Sequence, residues 1–257
     1  MSKTVCIFSF ILLLSFNLSA YEPNPYVDPQ VWEELTSYFL PEDHPIKNKL
    51  DSIFKKRRVL KSIGSLHAAG FRFLKNSQDK IIVVKHDELK GFLIKMYLDD
   101  SSEMEWVWWK KRVDGSKVIA NAIQASGYEH IFKVPKKWIY PLPAQPSPAS
   151  SDRIFRKNFI LVVEKMDILS DRSNKKAWKK KMNRPTLEAL YTIIMENLLL
   201  DSVYADNTPF CKDGKIAFID TEHTLDTTQP IPIWAVGHYL SEEMLDYWEH
   251  LLIHGVP

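Results

Sequence analysis

The sequence predicts an α+β fold, and three observations carry that prediction. From Gly70, three apolar runs follow one another across polar turns: Phe71-Arg-Phe-Leu74, Ile81-Ile-Val-Val84 and Gly91-Phe-Leu-Ile-Lys-Met-Tyr97. Short apolar runs bounded by polar turns read as an antiparallel strand meander. A long stretch from roughly Glu103 to Ser126 then turns Trp106, Trp109, Val113, Val118, Ile119, Ala122 and Ile123 inward, as one buried helix would. The C-terminal part is again helical. Pro185 opens a stretch to Leu200 with Leu187, Leu190, Ile194 and Leu198 on one face. Ser241 begins a capped final helix carrying Leu245, Trp248 and Leu252.

At the start of the chain, Lys3 precedes the apolar run Val5 to Leu14, and Leu18-Ser-Ala20 offers a small residue at a cleavage point. Residues 1–20 therefore read as a secretory signal peptide, and the mature chain as exported, to a periplasm or the outside. No later stretch approaches the ~20 apolar residues that a membrane-spanning helix needs. With 34 Lys and Arg against 32 Asp and Glu, the chain has no global drive toward nucleic acid or membrane. Cys6 leaves with the signal and Cys211 stands alone, which excludes an intramolecular disulfide framework and a Cys-based zinc site.

Residues 21–69 read as a helical extension. Asp28-Pro29 is a cap and first-turn proline ahead of Val31, Trp32, Leu35, Tyr38 and Phe39, and Ile46, Leu50, Ile53 and Phe54 mark a second helix. The run Lys55-Lys-Arg-Arg58 reads as a solvated helix face. After the long helix, Ile131–Val134 and Trp138–Tyr140 are extended segments, and residues 141–151 form a proline-rich surface loop. Asn158 to Glu164 is a further buried strand. Residues 172–184 hold Lys175, Lys176, Lys179, Lys180 and Lys181 around Trp178. They read as a solvated loop, with an acidic protein partner or an anionic surface as the second reading; nucleic acid is not expected.

The stretch Leu198 to Glu222 carries the chemistry. An apolar helix ends, a polar loop follows, and Lys212-Asp-Gly-Lys215 makes the turn of a short hairpin ending at Asp220. Asn207 and Asp220 are then an amide and a carboxylate at hairpin ends, the hard-oxygen pair that suits a phosphate-bound magnesium ion. An ordinary hairpin with solvated polar ends is the alternative.

Asn207 and Asp220, thirteen positions apart, resemble the catalytic-loop Asn and metal-binding Asp of the protein-kinase-like superfamily. Phe92-Leu-Ile-Lys95 is similar to that family's strand lysine motif, and Asp114 stands nineteen positions later, where the family carries a helix-borne acid. The resemblance implies a two-lobed kinase-like fold: a small antiparallel N-lobe sheet with one helix over 70–167 and a shortened, mostly helical C-lobe over 168–257. It further implies that Lys95, oriented by Asp114, holds ATP phosphates. Glu164 and Met166, at the segment that resembles the hinge, would present backbone groups to adenine. Asn207 and Asp220 would hold Mg2+, and Asp201 would be the catalytic base.

The chain also departs from the family. Ser202 stands at the usual base position, Thr221-Glu222 replaces the usual Phe-Gly, and the turn Lys75–Lys80 lacks glycine, so backbone cannot closely approach phosphate there. The reading is a divergent exported bacterial kinase-like protein or pseudokinase, inactive in phosphotransfer. An active atypical kinase and a structural or interaction protein without nucleotide remain the alternatives.

Overall fold

A computed structural model describes residues 21–76, 81–148 and 151–257. The expected signal peptide and most of the glycine-free turn lie outside these residues. The fold is α+β. Its strands are β1 (Arg72–Asn76), β2 (Ile82–Lys85), β3 (Phe92–Met96), β4 (Phe132–Lys133), β5 (Lys137–Pro141), β6 (Phe159–Glu164) and β7 (Ile216–Ala217). Five of them form one sheet in the order β1-β2-β3-β6-β5 with every neighbouring pair antiparallel. The meander thus occupies one side of the sheet, and β6 inserts between β3 and β5. The two-residue β4 pairs instead with β7, in parallel.

The sheet is covered on both faces. Helices α1 (Pro29–Leu35), α2 (Lys47–Phe54) and α3 (Ile63–Ala68) precede it, and α4 (Glu105–Ala125) crosses it. Leu50, Phe54, Leu60 and Leu66 pack against Val84, Ile94, Ile160 and Val162 on one face. Trp32, Leu35, Phe39, Trp109 and Val113 pack against Ile139, Leu161 and Val163 on the other. Successive strand residues point to opposite faces, which is why all of Phe159 to Val163 is apolar and buried. The segment before Gly70 is therefore built into the core of the sheet. Asp28 caps α1 by accepting from the N–H groups of Gln30 and Val31.

A third apolar cluster joins the far end of α4, through Ile119 and Ile123, to α5 (Asp171–Lys181), α6 (Arg184–Glu196) and α7 (Glu242–His254). Helix α4 thus shares in two cores, which fixes one end of it on the sheet and the other on the helices.

Three sequence expectations are corrected here. Residues 171–181 are helical, not loop: Ser170 caps by accepting from Ser173 N–H, and Asn174, Ala177 and Trp178 form a buried stripe. Lysines in the last turn also suit the negative end of the helix dipole. Arg58 is not solvated: its guanidinium bonds both oxygens of the fully buried Asp99, at 2.9 and 2.5 Å. Ser241 stands at the start of α7 without a side-chain capping bond.

Gly115 lies where α4 touches the segment around Thr221. A Cβ there would sit 1.9 Å from the Thr221 carbonyl oxygen and 2.6 Å from Thr224 Oγ1. Helix propensity alone predicts that Gly115→Ala gains about 1 kcal/mol. The contact reverses the sign: overpacking should cost about 1–3 kcal/mol, lowering Tm by roughly 2–4 °C per kcal/mol. Thermal denaturation checks this, and an unchanged or raised Tm would mean that α4 and Thr221 are not in such close contact.

Candidate functional site

Strand alternation sets two lysines on the sheet face that meets α4. Lys95 follows Leu93 on β3, Lys137 precedes Ile139 on β5, and Leu93 and Ile139 both pack in the α4-side cluster. Helix α4 supplies a third cation. Trp109, Arg112, Val113 and Ser116 are buried at i, i+3, i+4 and i+7, the spacing of a single helix face. Arg112 on that face pairs through Nη1 with Asp220 and through Nη2 with Glu222.

Residues 219–222 are held against these cations from both sides. Thr221 Oγ1 donates to the Arg112 carbonyl at 2.6 Å, and Lys137 Nζ donates to Thr221 Oγ1 at 2.6 Å and to the Ile219 carbonyl at 3.2 Å. Burial pushes the Lys137 ammonium well below its usual range, and the nearby charge of Lys95 adds to that depression. Burial pushes the Asp220 carboxyl upward, but Lys95, Arg112 and Lys137 together outweigh it and hold the group well below the usual carboxylate range.

The loop after α6 is stitched to the same segment. Leu200 N–H donates to the His223 carbonyl at 3.2 Å, Leu225 N–H to the Asn197 carbonyl at 2.9 Å and Ile219 N–H to the Asn207 carbonyl at 3.0 Å. Asn207 Nδ2 donates to the Asp201 carbonyl at 3.0 Å, bracing the loop from within. The Asp201 carboxylate lies 3.7 Å from His223 Nε2, which also stands 3.6 Å from Glu222. Burial raises the Asp201 pKa; Asp220 and Glu222 raise it further while His223 opposes them. Ser202 is buried.

The structure brings Lys95, Asp201, Asn207 and Asp220 to one region. Asp114 is placed elsewhere, and its expected pairing with Lys95 is corrected. Its carboxylate accepts from Tyr38 Oη at 3.2 Å and lies 3.5 Å from Lys110. The reason is azimuth: residues two apart on a helix point in nearly opposite directions, so the face that presents Arg112 turns Asp114 toward the N-terminal segment. Glu164 ends β6 and its carboxylate accepts from Lys136 N–H at 3.2 Å, while Met166 follows, half-buried, after Lys165 N–H bonds the Gly91 carbonyl. The five lysines of α5 are all exposed. Arg112 and Lys137 are the residues that sequence reasoning missed. The Trp109-Arg112-Val113-Ser116 stripe was the available signal for the first.

A divalent cation at Asn207 and Asp220 has a poor donor set here. Asp220 is already paired with Arg112, which leaves the Asn207 amide oxygen as the only other oxygen of the expected pair. Among the described residues, no group of three or more His, Cys, Asp or Glu is placed to hold a metal ion. None of the described helices is long and apolar enough to cross a membrane.

Asp220 makes a pH test. A carboxyl whose folded pKa lies below its unfolded value contributes stability that is present above the unfolded value and is lost as pH falls through the folded one. Asp220→Asn should therefore be less stable than wild type at neutral pH, and the gap should close as pH falls below about 4. Urea denaturation across that range measures it; a gap independent of pH would show that the carboxylate charge is not what the cations act on.

No family model matches the chain, and no curated protein matches it in sequence.

Proposed function

We propose that the protein is a divergent, two-lobed kinase-like module, exported, that binds a nucleotide such as ATP and does not turn it over efficiently. The observation that carries the reading is the approach of Lys95, on the third strand of an antiparallel sheet, to Asp220 in the distant segment after β7. A strand lysine near a carboxylate is the chemistry of phosphate recognition: the cation holds phosphate oxygens and the acid keeps the lysine charged and positioned. The backbone from Glu164 to Met166 would then receive the base, and Lys95 the α- and β-phosphates.

The same region supports binding over turnover. A catalytic base must reach the acceptor hydroxyl, whereas the Asp201 carboxylate has His223 beside it and the adjacent Ser202 is buried. One observation favours an active atypical kinase as a second reading. Asp201 is close enough to Asp220 and Glu222 for their charges to raise its pKa, so its carboxylate shares their region.

A thermal-shift titration with ATP tests the proposal. A ligand at 100 times its Kd stabilises by about 2.7 kcal/mol, a Tm rise of roughly 5–10 °C for a chain of this size. Lys95→Ala should remove the shift, Asp201→Asn should keep it, and radiolabelled ATP should yield no phosphate transfer above background. Absence of any shift would rule out the nucleotide site. Transfer that is robust in wild type and lost in Asp201→Asn would establish the active reading.

A further inference from the structure

Two carboxylates that a metal-bound nucleotide would draw on, Asp220 and Glu222, are already paired with Arg112. Its side chain is 5 % exposed and spends both terminal nitrogens on Asp220 and Glu222. Its Nε is buried without a hydrogen-bond partner. The guanidinium thus already carries one unsatisfied donor, and removing Asp220 from it would add another. Separating a buried ion pair without replacing its partner is strongly unfavourable.

The backbone between the two acids is held in place as well. Between Asp220 and Glu222, Thr221 is bonded to the Arg112 carbonyl and to Lys137 Nζ, and the Thr221 carbonyl rests on Gly115, where even a methyl group does not fit. The backbone that carries both neighbouring acids is therefore fixed beside the guanidinium. A divalent ion is drawn to sites with an excess of carboxylate and several free oxygens, and here Asp220 and Glu222 share one guanidinium.

We infer that the site takes a polyphosphate without a divalent metal, with Arg112 as the built-in counter-ion to Asp220 and Glu222. The inference rests on the nucleotide reading above and specifies the form of the ligand. Lys95 meets the phosphates directly, and Arg112 is a positioning residue: it neutralises the two acids so that an uncomplexed polyanion is not repelled by them.

The test is the ATP affinity of the purified protein in EDTA and in excess MgCl2, read by thermal shift and by isothermal calorimetry. Wild type should bind in both buffers with apparent Kd values that agree within about threefold, well short of the tenfold step that corresponds to 1.4 kcal/mol. Arg112→Gln frees both carboxylates. It should bind at least about tenfold more weakly in EDTA and regain affinity with Mg2+. Arg112→Lys, which retains the charge, should keep most of the metal-free binding, so that a folding failure of the glutamine variant does not decide the matter. Wild-type binding seen only with Mg2+, or at least about tenfold tighter with it, would overturn the inference and leave the nucleotide reading standing. Absence of binding in both buffers would overturn the two together.

Discussion

A guanidinium held in the interior by two acids from a distant part of the chain governs how this protein is put together. Arg112 leaves α4 between Trp109 and Val113, so the apolar contacts that seat the helix on the sheet also aim the cation at Asp220 and Glu222. Two other buried ion pairs act on the same helix and its surroundings. Glu105, in the first turn of α4, lies 3.6 Å from Lys157 Nζ and accepts from the N–H groups of Asn158 and Phe159. Arg58 holds Asp99 just ahead of α4 and also bonds the Lys157 carbonyl at 2.6 Å. Buried pairs add little net stability, because desolvation offsets attraction, yet breaking one is costly. They tie α4 and the residues just ahead of it to the sheet and to the segment 219–222 at several points.

The loop that brings Asp201 into this region is strained. Leu198 and Leu225 both have positive φ, 49° and 56°, a conformation that a branched side chain enters only at a cost of order 1–3 kcal/mol. Leu198 ends the run after α6, where glycine is the usual residue. Leu225 follows the acidic segment and donates its N–H to Asn197, next to Leu198. The two strained residues thus flank one set of cross-chain bonds, and burial of Leu199, Leu200 and Val203 in the surrounding core supplies the force that holds them.

The sheet is legible in the sequence because its signal is local: apolar runs of strand length, interrupted by turns, appear in the chain order in which they pair. The order of β6 and β5 is not legible, since it depends on which strand edge remains open after the meander forms. Lys95 and Asp220 can be singled out because each is a charged residue within or at the end of an apolar strand. Asp114 misleads because spacing along the chain says nothing of direction around a helix, whereas the buried stripe through Trp109 and Val113 does. Lysine-rich α5 misleads in another way. Counting charges suggests a solvated loop, while three buried residues at helical spacing and a serine cap decide the conformation. Arg58 shows the limit of reading runs of charge, as its partner Asp99 lies far along the chain.

The N-terminal segment has one more effect, through Phe39 and Leu40. Phe39 bridges Ile139 in parallel, and Leu40 N–H donates to the Ile139 carbonyl at 2.9 Å, so the segment lies along the outer side of β5. A strand at the border of a sheet offers unpaired backbone groups to any extended chain, including another copy of itself. Here that border is already occupied by the protein's own backbone. The opposite border, β1, carries a register irregularity between Phe73 and Lys75, and such a bulge spoils the straight ladder that a recruited strand would need. One border is thus partly covered and the other interrupted, and each leaves a recruited strand less straight edge to pair with.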